Sequence, residues 1–176
     1  MDLEISIQKA LKFLNQKKFD DALNILQDFK QEDHRILFIR GTIYLAQKKM
    51  DLAEKNLLAS SKINNKNFST FYNLGIMYDN KGEDKFAIDN FIKAVKINGH
   101  LDSMCEIGKI YLRQNNYEEA KKYFEEVLKK DVYNRRVNIM FGNLYLKMND
   151  HTRGWGHIYK ATGLIRFSDN GVEIVE

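Results

Sequence analysis

The chain has 176 residues, 44% of them hydrophobic, enough for one continuous core and too few for several large domains. Charged side chains make up 30%, and 28 basic against 24 acidic residues leave a net charge of +4 with no basic block, which argues against a nucleic-acid surface. A lone cysteine, Cys105, suits a reducing compartment, and the opening Met1-Asp2-Leu3-Glu4 lacks a secretory signal. No apolar run nears the roughly 20 residues of a bilayer span, so a cytoplasmic protein without membrane insertion is expected.

Proline is absent, so nothing interrupts helices and connections are expected to be short. The first apolar pattern, Ala10, Phe13, Ala22 and Leu26 around the polar turn Asn15-Gln16-Lys17-Lys18, predicts a helical hairpin over about 3–33. Gly41, Tyr44, Ala53, Leu57 and Ser60, around Gln47-Lys48-Lys49, predict a second over 34–67. The third, 68–100, opens with Phe71, Leu74, Ile76 and Tyr78 at near-helical spacing. It turns at Asn80-Lys81-Gly82-Glu83, where Gly82 suits a left-handed helix cap, and continues with Phe86, Ile88, Phe91, Ile92, Val95 and Ile97. The fourth, 101–134, carries Met104, Ile107, Gly108 and Tyr111, then Ala120, Phe124 and Val127 beyond Gln114-Asn115-Asn116. The fifth, 135–165, carries Gly142, Tyr145, Gly154, Ile158 and Ala161. The remaining tail, 166–176, breaks the pattern and is expected to be frayed or loosely docked, although Val172, Ile174 and Val175 also suit a short strand or a segment packed on the last hairpin.

The strongest signal is periodic. Glycine precedes tyrosine by three residues at Gly41/Tyr44, Gly75/Tyr78, Gly108/Tyr111 and Gly142/Tyr145, at intervals of 34, 33 and 34, where this composition gives about 0.5 such pairs by chance. The small residues carry a steric meaning: Gly75 and Ala87 let two helices approach, with Tyr78 and Phe91 filling the space beside them. A lone hairpin leaves an apolar side bare, so consecutive hairpins stack and share a core. Tyr44, Tyr78, Tyr111, Tyr145, Phe91 and Phe124 are therefore expected in that core rather than on a base-stacking platform.

This pattern resembles the tetratricopeptide repeat over about residues 3–165, most closely in the third copy. Arg40 stands where the family has leucine, Gly154 where it has alanine, and Asn65, Gly99 and Val132 where it has proline. The resemblance implies an all-α fold, an α–α superhelix of about five helical hairpins. It implies a non-catalytic scaffold or adaptor that binds a peptide or partner helix in a groove lined by the first helix of each repeat. By register, the second repeat contributes Arg35, Phe38 and Thr42, and the third Tyr72, Asn73, Ile76 and Asn80. The fourth contributes Glu106, Lys109 and Arg113, and the fifth Arg136, Asn143 and Lys147. The clamp with which some relatives hold a chaperone's C-terminal carboxylate is not expected, because only Asn73 matches it and Asp102 and Glu106 would repel the ligand.

The residues offer no catalytic constellation, and neither cofactor nor metal is expected. His151 and His157 are six apart and do not share a helix face, Cys105 has no partnered histidine at a readable spacing, and the glycines form no phosphate loop. The pairs Glu118/Glu119 and Glu125/Glu126 alternate with lysines as i,i+4 surface pairing would. Gly154-Trp155 with Tyr159 resembles the end of some bacterial arrays that precede glycosyltransferase domains, so a targeting module of a larger enzyme is one alternative. A small secretion-type chaperone is another. The expected partner is protein or peptide, not nucleic acid, and self-association stays open.

Overall fold

The computed structural model describes residues 2–29, 33–163, 165–168 and 171–174. Helices α1 (Leu3–Asn15) and α2 (Phe19–Leu26) form the first antiparallel pair, and α3 (His34–Ala46) and α4 (Met50–Ile63) the second. They are followed by α5 (Phe68–Asn80) with α6 (Asp84–Asn98), α7 (Leu101–Arg113) with α8 (Tyr117–Lys130), and α9 (Arg135–Lys147) with α10 (His151–Thr162). The fold is thus all-α, five helical hairpins in succession, with one β-hairpin appended. Strands β1 (Ile165–Ser168) and β2 (Gly171–Ile174) pair antiparallel, Ile165 opposite Ile174, and β1 lies against α10. Val172 and Ile174 therefore lie in a strand, as their β-branched run suggests. Val175, the third residue expected there, lies outside the described residues.

Local chemistry starts and stops these helices at one-repeat spacing. Asp2, Asp33, Asn67 and Asn134 are N-caps whose side-chain oxygens accept from the backbone N–H of Glu4, Arg35, Ser69 and Val137 at 2.8–3.1 Å. Each hairpin turn places one residue in the left-handed region: Lys17, Lys48, Gly82, Asn115 and Asn149, with φ between 59° and 76°. In the second hairpin the Lys48 N–H donates to the Leu45 carbonyl at 3.0 Å and the Lys49 N–H to the Tyr44 carbonyl at 2.8 Å. This doubly bonded helix end recurs in all five turns, and Phe13, Tyr44, Tyr78, Tyr111 and Tyr145 supply the outer carbonyl. Only one of the five turns uses glycine.

Close approach holds each pair together. A Cβ at Gly75 would lie 2.5 Å from the Phe91 ring, and one at Gly41 would lie 2.7 Å from the Leu57 side chain. Gly108 meets Phe124 and Gly142 meets Ile158 in the same way, so each glycine faces the residue sixteen positions later. In the first hairpin Ala10 and Leu26 keep that spacing, and both are fully buried. The departure at Gly154 has a geometric reason: a Cβ there would sit 2.8 Å from the Leu146 side chain and 3.2 Å from the Gly142 carbonyl oxygen, so the two helix backbones approach closely at this point. Phe91 and Phe124 are fully buried, Tyr78 and Tyr145 are buried, and Tyr44 and Tyr111 are half-buried. Phe86 is 55% exposed and leans on the Tyr78 ring at 5.4 Å. Surface lysines on α8 pair at both spacings, Lys121 with Glu125 at i,i+4, and Lys122 with Glu119 and Lys129 with Glu126 at i,i+3.

The chain divides into two compact units, Met1–His100 and Leu101–Glu176. Within the first, α1 touches α3 and α3 touches α5, whereas the second helices α2, α4 and α6 show no comparably close pairing. First helices that crowd together while second helices spread make each unit's stack curve toward the first-helix side. Within the second unit, α7 and α9 adjoin in the same manner. Among the described residues no helix is long and apolar enough to cross a membrane.

Candidate partner-binding faces

In the first unit the inner side is built from α1, α3 and α5. The Arg35 guanidinium spans two helices, binding Glu4 of α1 at 2.7 Å and the Asp33 cap of its own helix at 2.8 Å. That guanidinium holds the Asp33 carboxyl below the usual carboxylate range. One turn on, Phe38 is half-buried against the α1–α3 core. The Thr42 hydroxyl donates to the Phe38 carbonyl at 2.8 Å and accepts from the Asn73 side-chain amide, also at 2.8 Å, so it ties α3 to α5. Tyr72 rests edge-on to His100 at 4.9 Å and near Phe91 at 5.8 Å. Ile76 is half-buried, and Asn80 is exposed at the end of α5. These residues share one side of α3 and α5, and they present amide, aromatic and aliphatic groups together.

The second unit's inner side is electrostatic. Glu106 is only 3% exposed, and its carboxylate pairs with Lys109 Nζ at 2.7 Å and with the Arg136 guanidinium. Arg136 thereby joins α9 to α7 across 30 residues of sequence, as Arg35 joins α3 to α1. A buried carboxylate with two cations is compensated and unavailable as a free charge. Arg113 is exposed at the end of α7, and Asn143 and Lys147 are exposed along α9 with no partner among the described residues. Cys105, beside Glu106, is buried, and burial pushes its thiol up to about 11, so it behaves as a small apolar side chain.

Two features gave no sequence signal. Glu54 of α4 accepts from the Tyr78 hydroxyl at 2.8 Å and from Lys81 at 2.9 Å, a cross-link between hairpins. Burial and that carboxylate push the Tyr78 hydroxyl up to about 12. His157 of α10 bonds the Asn138 amide oxygen at 2.9 Å and lies on the Phe141 ring at 4.5 Å. Trp155 and Tyr159 are partly exposed on α10, at 38% and 36%.

Residues 102–132 match the family described as Tetratricopeptide repeat. No curated protein matches the sequence at a significant level. Among solved structures, MamA (AMB-1) is similar at 19% identity, over 91% of this chain and 90% of that one, with a TM-score of 0.74. PilF of Pseudomonas aeruginosa is similar at 14% identity, over 91% and 75%, with a TM-score of 0.83. The APC/C hetero-tetramer Cut9–Hcn1 contains a chain similar at 16% identity, over 91% of this chain and 31% of that one, with a TM-score of 0.77. At these identities the likeness is one of fold.

Proposed function

Because the chain is an array of tetratricopeptide-type hairpins, we propose that it is a non-catalytic scaffold whose first-helix faces hold a peptide or a helix of a protein partner. One observation carries the reading. On α3 and α5 the first-helix side joins the Thr42–Asn73 bond to Tyr72, Ile76 and Asn80, which sets hydrogen-bonding groups beside apolar contact area on rigid neighbouring helices. Asn80 keeps a terminal amide for a peptide backbone, and Tyr72 and Ile76 supply apolar anchoring. In the second unit Asn143 and Lys147 extend the same kind of side with polar groups. The fold's general use as a protein-interaction scaffold supports this, as does its likeness to a chain crystallised in a hetero-tetramer.

The test is affinity capture from native lysate with wild type and with Tyr72→Ala/Asn73→Ala, both checked for equal helicity. Captured proteins that the double variant loses, with binding weakened about tenfold, fit the reading. Retention of the same proteins at equal strength refutes it.

A further inference from the structure

The first unit also carries a cleft of about 450 Å³ on the side away from Phe38 and Thr42, walled by α2, α3 and α4. Its origin is legible in two departures from the repeat. The position of Arg40 is filled by Leu74 and Phe141 one and three repeats later, and by Ile107 between them, all buried apolar side chains. Helix α2 has only 8 residues where α4 has 14 and α6 has 15. A short wall and a long polar side chain leave open the space that an aliphatic contact closes elsewhere. Arg40 lies two residues from both Phe38 and Thr42, about 200° around the helix from each, so the cleft is separate from the partner-binding side.

The cleft's chemistry is one-sided. Arg40 and Lys55 contribute two cations, and no acid among the described residues lines it. Arg40 uses one guanidinium nitrogen on the Leu26 carbonyl, at 2.6 Å, the open end of α2. Its other N–H groups, and the Lys55 ammonium, have no partner among the described residues. Of the acids on α4, Glu54 is held elsewhere by Tyr78 and Lys81, and Asp51, in the first turn, is not among the lining residues. Asn24 and Gln27 add unpartnered amides, and Leu23, Leu37 and Leu52 give an apolar flank, with Leu52 itself 44% exposed. A bare anion would use only the cations and amides, whereas a carboxylate carried between aliphatic side chains would use every part.

We propose that this cleft is a second docking site, which takes an acidic side chain flanked by aliphatic residues on a segment of a protein partner. The guanidinium edge left free by the Leu26 bond and the Lys55 ammonium meet the carboxylate, and the leucine flank covers its neighbours.

The test titrates the labelled full chain with two capped tripeptides, Leu-Glu-Leu and Leu-Gln-Leu, and follows the Arg40 Nε–H and the side-chain amides of Asn24, Gln27 and Asn56 by NMR. The glutamyl peptide is expected to shift these signals saturably, and the glutaminyl peptide to bind about tenfold more weakly, as loss of a charged hydrogen bond implies. Arg40→Leu restores the apolar residue of later repeats and is expected to weaken glutamyl-peptide binding about tenfold. Should it lose helicity, Lys55→Gln, an exposed substitution, decides with an expected loss of about threefold. Tyr72→Ala, on the other binding side, is expected to leave binding of the glutamyl peptide at this cleft unchanged. Equal affinity for the two peptides, no saturable shift, full affinity in the deciding variant, or loss of the shifts in Tyr72→Ala would each overturn the assignment. None of these outcomes bears on the lysate capture, so the two sites fail separately.

Discussion

Gly75 shows how little room one position has. A single methyl there meets the Phe91 ring at 2.5 Å, so Gly75→Leu forces the two helices apart. It is expected to lower stability by about 3 kcal/mol, read as a reduced urea midpoint. An unchanged midpoint would contradict the packing. Lys48 presents the converse case, a side chain held at φ 60° where left-handed backbone disfavours it. Lys48→Gly is expected to stabilise by about 0.5–1 kcal/mol and to raise the melting temperature, although glycine also loosens the unfolded chain. The glycine at each close contact is legible because it recurs with tyrosine. The lysines and asparagines of the turns are not, since none of them announces left-handed backbone. Closure of the hairpin imposes that conformation, and Gly82 alone advertises it.

Helices are started by caps and locked by side chains from the neighbouring hairpin. Glu54 joins α4 to α5, and the Lys81 bond, with the Tyr78 hydroxyl, holds its carboxyl below the ordinary value of 4.5. A depressed folded value stabilises the protein above the unfolded value, and that contribution is lost as pH falls through the folded one. Glu54→Gln is therefore expected to lose less stability than wild type between pH 6 and pH 3, measured by urea unfolding at both. His157 acts with the same sign from a different cause: burial, with Lys160 nearby, lowers it from 6.5, so its imidazole sits neutral against Phe141. Below pH 6.5 the unfolded chain takes up that proton more readily. Protection factors of the α10 amides, taken against the unfolded-chain exchange rate at each pH, are expected to fall on acidification, and to fall less in His157→Gln. Helix order and approximate ends were readable from the apolar pattern and the polar turns. The exposure of Phe86 was not readable, because an apolar residue in a helical run can sit in the core or lean on a neighbouring ring. Glu106 offered no hint of burial, since that depends on Arg136 arriving from the next hairpin.

Within each unit the described hairpins touch their neighbours in sequence and little else, which makes stability a sum of local terms. Gly142→Ala is accordingly expected to speed amide exchange in α9 and α10 and to leave α3 and α4 unchanged. The repeating architecture was legible because one spacing recurs four times. The binding side was legible only as a register, because whether a register position is open, tied up or covered depends on side chains from other helices. Arg40 illustrates this: the sequence shows it only as a departure from the family's leucine, whereas in the structure it bounds the cleft beside α2.

The sixteen-residue link from Gly75 to Phe91 crosses the turn, and so do those from Gly41, Gly108 and Gly142. No residue can be inserted or deleted anywhere along that stretch without sliding a contact out of place. From Leu57 to Gly75 and from Phe124 to Gly142 the chain takes 18 steps, from Phe91 to Gly108 it takes 17, and from Leu26 to Gly41 only 15. Length variation has thus accumulated solely between hairpins, which is where an engineered tag or graft would be borne with least harm.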